Sequence, residues 1–201
     1  MGVDPLTRAV FLDRDGVLNA NIFNPATDAW ESPHHPDDFR LLPGALDGLR
    51  RLADGGFALF LVSNQPSYAK GKTSLENIRA IAAKLETAVS NAGIQFVEYY
   101  YCLHHPDGMM PGYSGTCACR KPSPYFLHKA EGDHGIDLAG SWMLGDRETD
   151  ILCGRSAGVQ TIYIRPDYPD AEPPRIAANY SAENIGQAVE IIRTTAARNA
   201  A

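Results

Sequence analysis

The sequence predicts an α/β fold, with a doubly wound and mostly parallel sheet between layers of helices. Two observations predict this class. Short apolar runs alternate with helical patterns from one end of the chain to the other. The runs are also continuous, which is typical of strands that are buried on both faces. Strands and helices that alternate in this way join into parallel sheets through right-handed crossovers.

Five strands are predicted from these apolar runs. The first ends directly before Asp13, the second before Ser63, and the fourth before Gly145 and Asp146. Polar residues therefore stand where three of the strands end. The predicted strands cover residues 9–12, 57–62, 96–101, 142–144 and 161–164.

Five helices are predicted from apolar residues at helical spacing and from end signals. Thr73 and Glu76 form a capping box for the second helix. Ser123 is predicted to cap the third, with Pro124 at its first position. Ser181 is predicted to open the last helix. The first helix ends near Gly55, the second at Gly93, and the fourth runs from after Asp146 to Gly158.

Two long segments interrupt the alternation, at residues 19–43 and 102–122. The second is rich in glycine and proline and holds three of the four cysteines. Long loops inside a compact domain are usually functional, so we expect both segments to determine specificity. With 201 residues and no low-complexity linker, residues 1–201 are predicted to form a single domain.

Composition excludes several classes of protein. The formal net charge of −6 argues against a general nucleic-acid binder. No stretch approaches the roughly 18 consecutive apolar residues of a membrane span. Four cysteines in a chain of this length do not make a disulfide scaffold. We therefore expect a cytoplasmic enzyme with no membrane or nucleic-acid partner. We also expect a monomer.

The polar residues after the strands predict a phosphate site. The carboxyl ends of parallel strands meet at one edge of a sheet, which brings Asp13, Asp15, Ser63 and Asp146 together. Mg²⁺ prefers one or two carboxylates completed by water and phosphate oxygens. The alternative is that each aspartate only caps a turn or a helix. The local sequence Asp13-Arg14-Asp15-Gly16 favours the site, because two carboxylates flank a turn that the glycine allows the chain to leave.

The second long segment predicts a metal site of another kind. Cys102 and His104 precede Cys117 and Cys119 in the same loop. Three cysteines and one histidine are a standard ligand set for structural Zn²⁺. His105 is the adjacent alternative to His104, and free thiols with a surface histidine are the alternative to a metal site.

The chain resembles the haloacid dehalogenase superfamily of phosphatases, over roughly residues 9–165. The resemblance rests on four motifs that appear in the family's order. They are Asp13-Arg14-Asp15-Gly16, Ser63-Asn64-Gln65, Lys121 within Arg120-Lys121-Pro122, and Gly145-Asp146-Arg147-Glu148-Thr149-Asp150.

This resemblance implies a role for each motif. Asp13 is the implied nucleophile, which carries the phosphoryl group as an aspartyl-phosphate. Asp15 is the implied general acid and base, with a pKa tuned so that it holds a proton at the first step. Ser63 and Lys121 are implied to hold the phosphoryl oxygens. Asp13, Asp146 and the backbone carbonyl of Asp15 are the implied ligands of Mg²⁺.

The cysteine-containing segment resembles that of one group within this superfamily. It is similar to that of the small phosphatases without a cap domain that act on D-glycero-D-manno-heptose 1,7-bisphosphate, and histidinol-phosphate phosphatases share it. The implied substrate is a phosphorylated sugar that loses its 7-phosphate, and the implied Zn²⁺ is structural. Segments 19–43 and 102–122 then wall the pocket. The residues expected to bind substrate are Asn64, Gln65, Arg120 and Arg147, with Arg120 suited to a second phosphate.

Three other functions remain as alternatives. Histidinol-phosphate phosphatase is the nearest, and a screen of phosphorylated substrates separates it from a sugar-bisphosphate phosphatase. A polynucleotide 3′-phosphatase shares the chemistry, but the charge of −6 opposes it. An inactive zinc-stabilised interaction module is the non-enzymatic alternative, and phosphate release in the presence of Mg²⁺ would exclude it.

Overall fold

The computed structural model describes residues 7–166, 168–169, 171 and 173–199. Within these residues the chain forms eight strands, five α-helices and one 3₁₀ turn, Pro36–Asp38. In chain order the strands and α-helices are β1 (Ala9–Leu12), β2 (Ile22–Asn24), β3 (Ala29–Glu31), α1 (Ala45–Asp54), β4 (Ala58–Asn64), α2 (Leu75–Asn91), β5 (Glu98–Cys102), α3 (Tyr125–His134), β6 (Trp142–Gly145), α4 (Glu148–Ser156), β7 (Gln160–Ile164), β8 (Tyr180–Ala182) and α5 (Ile185–Asn199).

Six strands form one parallel sheet in the order β5-β4-β1-β6-β7-β8. β1 lies between β4 and β6, with Phe11 opposite both Phe60 and Met143. The chain builds outwards from β1 in both directions, so the strand order reverses there. Such a reversal opens a crevice at the carboxyl edge of the sheet. The predicted α/β class is confirmed.

Helices cover both faces of this sheet. Val10 and Leu12 of β1 belong to the core that also contains buried residues of α1, α2 and α5. Ala9 and Phe11 belong to the core on the other face, with buried residues of α3 and α4. Every residue of β1 is thus buried, which explains why its sequence is a continuous apolar run. Among the described helices, none is long and apolar enough to cross a membrane.

Three strands were not predicted. β2 and β3 pair antiparallel within the segment 19–43, and β8 pairs parallel with β7 at the sheet edge. Each has only three residues, which is too short to show a periodic pattern. β8 contains Ser181, so the prediction that Ser181 opens the last helix was wrong. That helix begins at Ile185, after Asn184, whose Oδ1 accepts a hydrogen bond from the backbone N–H of Gln187.

Two predicted helix caps also differ. α2 is capped by Ser74, whose Oγ accepts from the backbone N–H of Asn77, and not by Thr73. The Thr73 hydroxyl instead donates to the carbonyl of His34, which ties the helix start to the segment before α1. α3 begins one residue later than predicted, with Pro124 at the cap position. The sequence signals therefore predicted that both helices exist but not the residues at which they begin.

Candidate active site

Four predicted site residues converge at the carboxyl edge of the sheet. Asp13 follows β1, Ser63 lies near the end of β4, and Asp146 follows β6. Asp13 Oδ1 accepts hydrogen bonds from Ser63 Oγ at 2.8 Å and from the Arg14 backbone N–H at 2.7 Å. Lys121 Nζ lies 3.1 Å from the same oxygen. Since these side chains are all buried, the carboxylate of Asp13 has a fixed orientation.

A glycine makes this convergence possible. Gly16 has a φ of 76°, in the left-handed region that disfavours other residues. A Cβ atom at this position would lie 2.2 Å from Asp146 Oδ2. The turn after Asp15 therefore needs a glycine both for its backbone and for space beside Asp146.

Lys121 is buried between two carboxylates. Its Nζ lies 2.6 Å from Asp150 Oδ1 and donates to the carbonyl of Val62 at 2.6 Å. The side-chain amide of Asn64 both donates to the Lys121 carbonyl and accepts from its backbone N–H, each at 3.1 Å. Burial opposes the charged form of Lys121, but Asp13 and Asp150 raise the pKa of the ammonium above its usual value. Asp150 is thus a partner of Lys121 that the prediction did not include.

The carboxylates form a group that suits a divalent cation. One oxygen from each of Asp13, Asp146 and Asp150 lies within 4.8 Å of the others. Asp146 Oδ1 is buried without a hydrogen-bond partner. Burial raises the pKa of Asp146 well above its usual value, and the nearby carboxylates add to the rise while Arg147 opposes it. A hard cation would offset the repulsion between these carboxylates, so the donor set fits Mg²⁺.

Asp15 lies in a different environment from the one expected. Its Oδ1 accepts from Arg14 Nη2 at 3.0 Å and from Asn19 Nδ2 at 2.9 Å, and its Oδ2 accepts from Gln65 Nε2 at 2.6 Å. Burial would raise the pKa of Asp15, but the Arg14 guanidinium and the hydrogen bonds from Asn19 and Gln65 lower it. The expectation of a carboxyl that holds a proton is therefore not met in this arrangement.

A cavity of about 380 Å³ opens beside Asp13 and Asp15. Asn64, Arg120 and Arg147 line it, as predicted for substrate-binding residues. Gln65 does not, because it is only 2% exposed and lies behind Asp15. The prediction that Gln65 contacts substrate therefore differs from the structure.

The cavity wall also contains Trp30 and Glu31, which lie in the segment 19–43 that was expected to wall the pocket, and Lys70 and Lys72, which the sequence did not single out. Glu31, at the end of β3, pairs with Lys72 at 2.5 Å. Burial would raise the pKa of Glu31, but Lys72 and Thr27 lower it to about 2. Burial lowers the pKa of Lys70, and the positive charges of Lys72 and Arg120 add to the decrease. Lys70 and Lys72 follow Ser63-Asn64-Gln65 in the sequence, but they have no regular spacing that would have predicted a place in the site.

The cysteines and histidine of the segment 102–122 come together as predicted. One ligand atom from each of Cys102, His104, Cys117 and Cys119 lies within 4.8 Å of the others. The Cys117 sulfur lies 3.5 Å from those of both Cys102 and Cys119, much farther than a disulfide bond. His104 Nδ1 lies 4.0 Å from the Cys102 sulfur and 3.9 Å from that of Cys119. These separations approximate the roughly 3.8 Å edges of a tetrahedron whose metal–sulfur bonds are about 2.3 Å.

This loop also positions a cavity residue. Arg120 directly follows Cys119, and its Nη1 donates to the His104 carbonyl at 3.1 Å. The next residue, Lys121, turns inward to Asp13. The two neighbouring cations therefore make their contacts on different sides of the chain.

Comparisons with known proteins agree with this geometry. Residues 118–188 match the family described as HAD-hydrolase-like. The D-glycero-beta-D-manno-heptose-1,7-bisphosphate 7-phosphatase of Yersinia pestis is 32% identical over 186 residues, covering 92% of this chain and 95% of the relative. The D-glycero-alpha-D-manno-heptose-1,7-bisphosphate 7-phosphatase of Photorhabdus laumondii is 29% identical, covering 83% of this chain and 87% of the relative.

Solved structures show the same likeness. The crystal structure of D,D-heptose 1,7-bisphosphate phosphatase from B. bronchiseptica, complexed with magnesium and phosphate, superposes with a TM-score of 0.73. It is 25% identical, and the match covers 94% of this chain and 99% of that one. A putative HAD-like phosphatase from Mesorhizobium loti has a TM-score of 0.74 at 26% identity, covering 96% and 91%. The chain therefore belongs to the HAD family of phosphatases.

Proposed function

We propose that this enzyme is an Mg²⁺-dependent phosphatase that removes the 7-phosphate of D-glycero-D-manno-heptose 1,7-bisphosphate. The observation that carries the proposal is the cluster of Asp13, Ser63 and Lys121, in which Asp13 and Lys121 line the cavity and Asp146 lies close to Asp13. Relatives with this named activity match most of the chain, and they include enzymes named for each anomer of the sugar.

In the first half of the reaction, the carboxylate of Asp13 attacks phosphorus and the bond from phosphorus to the sugar oxygen breaks. The Asp15 carboxyl, whose pKa is lowered in the arrangement described above, takes up a proton from solvent before this step and gives it to that oxygen, so the sugar leaves as an alcohol. Ser63 and Lys121 already contact Asp13 Oδ1, which places their donors beside the incoming phosphoryl oxygens. Phosphoryl transfer depends mainly on such positioning and on charge stabilisation.

In the second half, Asp15 takes a proton from water, and the water oxygen attacks phosphorus. The bond to Asp13 breaks, which releases inorganic phosphate and restores both carboxyl groups. When bound by Asp13, Asp146 and the Asp15 carbonyl, Mg²⁺ would offset the negative charge of the phosphoryl group and the carboxylates.

A screen of phosphorylated compounds tests this function. Both anomers of the heptose 1,7-bisphosphate, histidinol phosphate and a 3′-phosphorylated oligonucleotide would be incubated with the enzyme, with and without Mg²⁺. We expect the largest kcat/KM for one of the heptose anomers, with the 1-phosphate retained in the product. A larger kcat/KM for histidinol phosphate would contradict the proposed substrate, and no phosphate release from any compound would contradict the enzyme.

Arg120 is expected to select for a second phosphate. Arg120 lines the cavity with Lys70, and its Nη1 donates to the His104 carbonyl, whereas the Nζ of Lys121 is paired with Asp13. Arg120→Ala should lower kcat/KM for the bisphosphate by about tenfold or more, the 1.5–3 kcal/mol of a charge-assisted hydrogen bond. Its effect on p-nitrophenyl phosphate, which has no second phosphate, should be less than about twofold.

The matched control is Arg79→Ala, which removes an exposed arginine from α2. It should leave kcat/KM for both substrates unchanged. Equal losses on the two substrates for Arg120→Ala would show that Arg120 acts at the transferred phosphoryl group, against the proposed second-phosphate contact.

We also propose that Cys102, His104, Cys117 and Cys119 bind one structural Zn²⁺. The tetrahedral spacing of the four ligand atoms supports this assignment. Four protein ligands fill a tetrahedral metal, so no position remains for a reacting water. The ion would order the loop that places Arg120 and Lys121.

The purified protein should therefore contain about one zinc per chain. Cys117→Ser should lower the zinc content and reduce Tm by about 5 °C or more, because metal binding contributes directly to folding free energy. Cys153→Ser changes the one cysteine outside this cluster and should retain the metal. Elemental analysis that finds no zinc, with all four thiols reactive after unfolding, would contradict the site.

We further propose that the enzyme acts as a monomer in the cytoplasm on a small phosphorylated sugar. None of the four cysteines, all of which the structure describes, forms a disulfide, which is typical of reducing compartments. Light scattering of the purified protein tests the monomer, and cell fractionation tests the compartment.

A further inference from the structure

Gln65 lies at the centre of a buried polar network behind the reacting groups. Its Nε2 donates to Asp15 Oδ2 at 2.6 Å and to Ser63 Oγ at 3.0 Å, and its Oε1 accepts from Arg14 Nη2 at 2.8 Å. Gln65 is 2% exposed, and Arg14 and Ser63 are 0% and 1% exposed. The amide therefore contacts the phosphate-binding hydroxyl and the acid–base carboxylate from the side away from the cavity.

The chemistry of the neighbours allows only one orientation of this amide. The Arg14 guanidinium has donors only, so the amide oxygen must face it. The amide N–H groups then face Asp15, whose Oδ2 accepts one of them. Ser63 Oγ then accepts the second N–H of Gln65, and the single hydroxyl proton of Ser63 is left for Asp13 Oδ1.

We infer that Gln65 is a positioning residue that fixes the Asp15 carboxylate relative to Ser63 and Asp13. The inference rests on the proposed function for the role of Asp15, but it does not depend on which phosphate ester is the substrate. Arg14 orients the amide, and the amide holds Asp15 Oδ2 where it must meet the leaving oxygen. Without the amide, Asp15 keeps Arg14, which also donates to Oδ2 at 3.3 Å, but loses the shorter 2.6 Å contact to that oxygen.

The test compares substrates whose leaving groups differ in their need for a proton. An alkyl phosphate releases a poor leaving group and needs the general acid, whereas p-nitrophenyl phosphate releases a stable phenolate and needs it little. Because kcat/KM reports the steps up to phosphoryl transfer, it isolates the protonation step from the later hydrolysis. We expect Gln65→Leu to lower kcat/KM about 100-fold for an alkyl phosphate and less than tenfold for p-nitrophenyl phosphate.

Gln65→Glu is the second variant, and it retains the size of the side chain and an acceptor for Arg14. It places a carboxylate where the amide now donates to Asp15. We therefore again expect a larger loss of kcat/KM for the alkyl phosphate than for p-nitrophenyl phosphate. Gln95→Glu makes the same chemical change at an exposed position before β5, and neither kcat/KM value should change. If Gln65→Leu does not fold, Gln65→Glu carries the test alone.

If the Gln65 variants lose kcat/KM equally for the two substrates, or do not lose it at all, the inference is overturned. A crystal structure of a Gln65 variant gives a readout that does not require turnover. We expect the Asp15 side chain to leave its present rotamer, and an unchanged Asp15 would overturn the positioning role. If the unsubstituted enzyme cleaves p-nitrophenyl phosphate but no sugar phosphate, the proposed substrate fails, while this structural comparison still decides the role of Gln65.

Discussion

Asp13→Asn is expected to lower kcat/KM by at least about 10³-fold for every phosphate ester. An amide cannot carry the phosphoryl group as an acyl phosphate, and the change also removes one charge from the group that would hold Mg²⁺. The fold should persist, because Asn is nearly the same size and Lys121 retains Asp150 as a partner. Steady-state kinetics and a melting curve on the same preparation measure both effects.

The control for this prediction is Asp47→Asn, at an exposed position in the first turn of α1. It makes the same chemical change at a residue that does not line the cavity and should leave kcat/KM unchanged. If a folded Asp13→Asn variant retains more than a few per cent of the activity, Asp13 is not the nucleophile.

Lys121→Ala is expected to lower both activity and stability. Its ammonium is buried against Asp13, Asp150 and the carbonyl of Val62, so its removal leaves two buried carboxylates without their cation. Breaking a buried ion pair in this way costs about 3–5 kcal/mol. For a chain of this size we expect a fall in Tm of about 10 °C. Losses in kcat/KM should be similar for a bisphosphate and for p-nitrophenyl phosphate, since both place a phosphoryl group at Asp13.

A second substitution separates the two effects. Asp150→Asn in the Lys121→Ala background removes one unpaired carboxylate and should restore part of the Tm but none of the activity. Lys129→Ala removes an exposed ion pair with Asp133 on α3 and is the surface control. It should change neither Tm nor kcat/KM. Unchanged Tm in a folded Lys121→Ala variant would contradict the description of Lys121 as the cation that stabilises this cluster.

Most of the sheet could be predicted from the sequence because its central strands are buried on both faces. β1, β4 and β6 therefore appear as continuous apolar runs that end in polar residues. The same ends carry Asp13, Ser63 and Asp146, so the convergence of the site followed from the topology of parallel strands. The elements that were missed, β2, β3 and β8, have three residues each and lie outside this pattern.

The sequence could not show which way side chains turn where a strand passes into a loop. Asn64 and Gln65 are adjacent, yet Asn64 lines the cavity and holds Lys121, whereas Gln65 turns away to Asp15 and Arg14. The low pKa of Asp15 follows from these contacts, so sequence reasoning had no basis for it. Only the folded structure distinguishes a residue that lines the cavity from an adjacent one that hydrogen-bonds to other side chains behind it.

Trapping the covalent intermediate tests the central claim most directly. Asp15→Asn retains the Asp13 nucleophile but removes the base that activates water, so phosphate should accumulate on the enzyme. The variant would be mixed with Mg²⁺ and p-nitrophenyl phosphate, whose leaving group needs little protonation, and quenched with acid for peptide mass spectrometry. We predict one phosphoryl group, located on Asp13. A phosphoryl group on another residue, or stoichiometric release of p-nitrophenol without any phosphorylated peptide, would contradict the account.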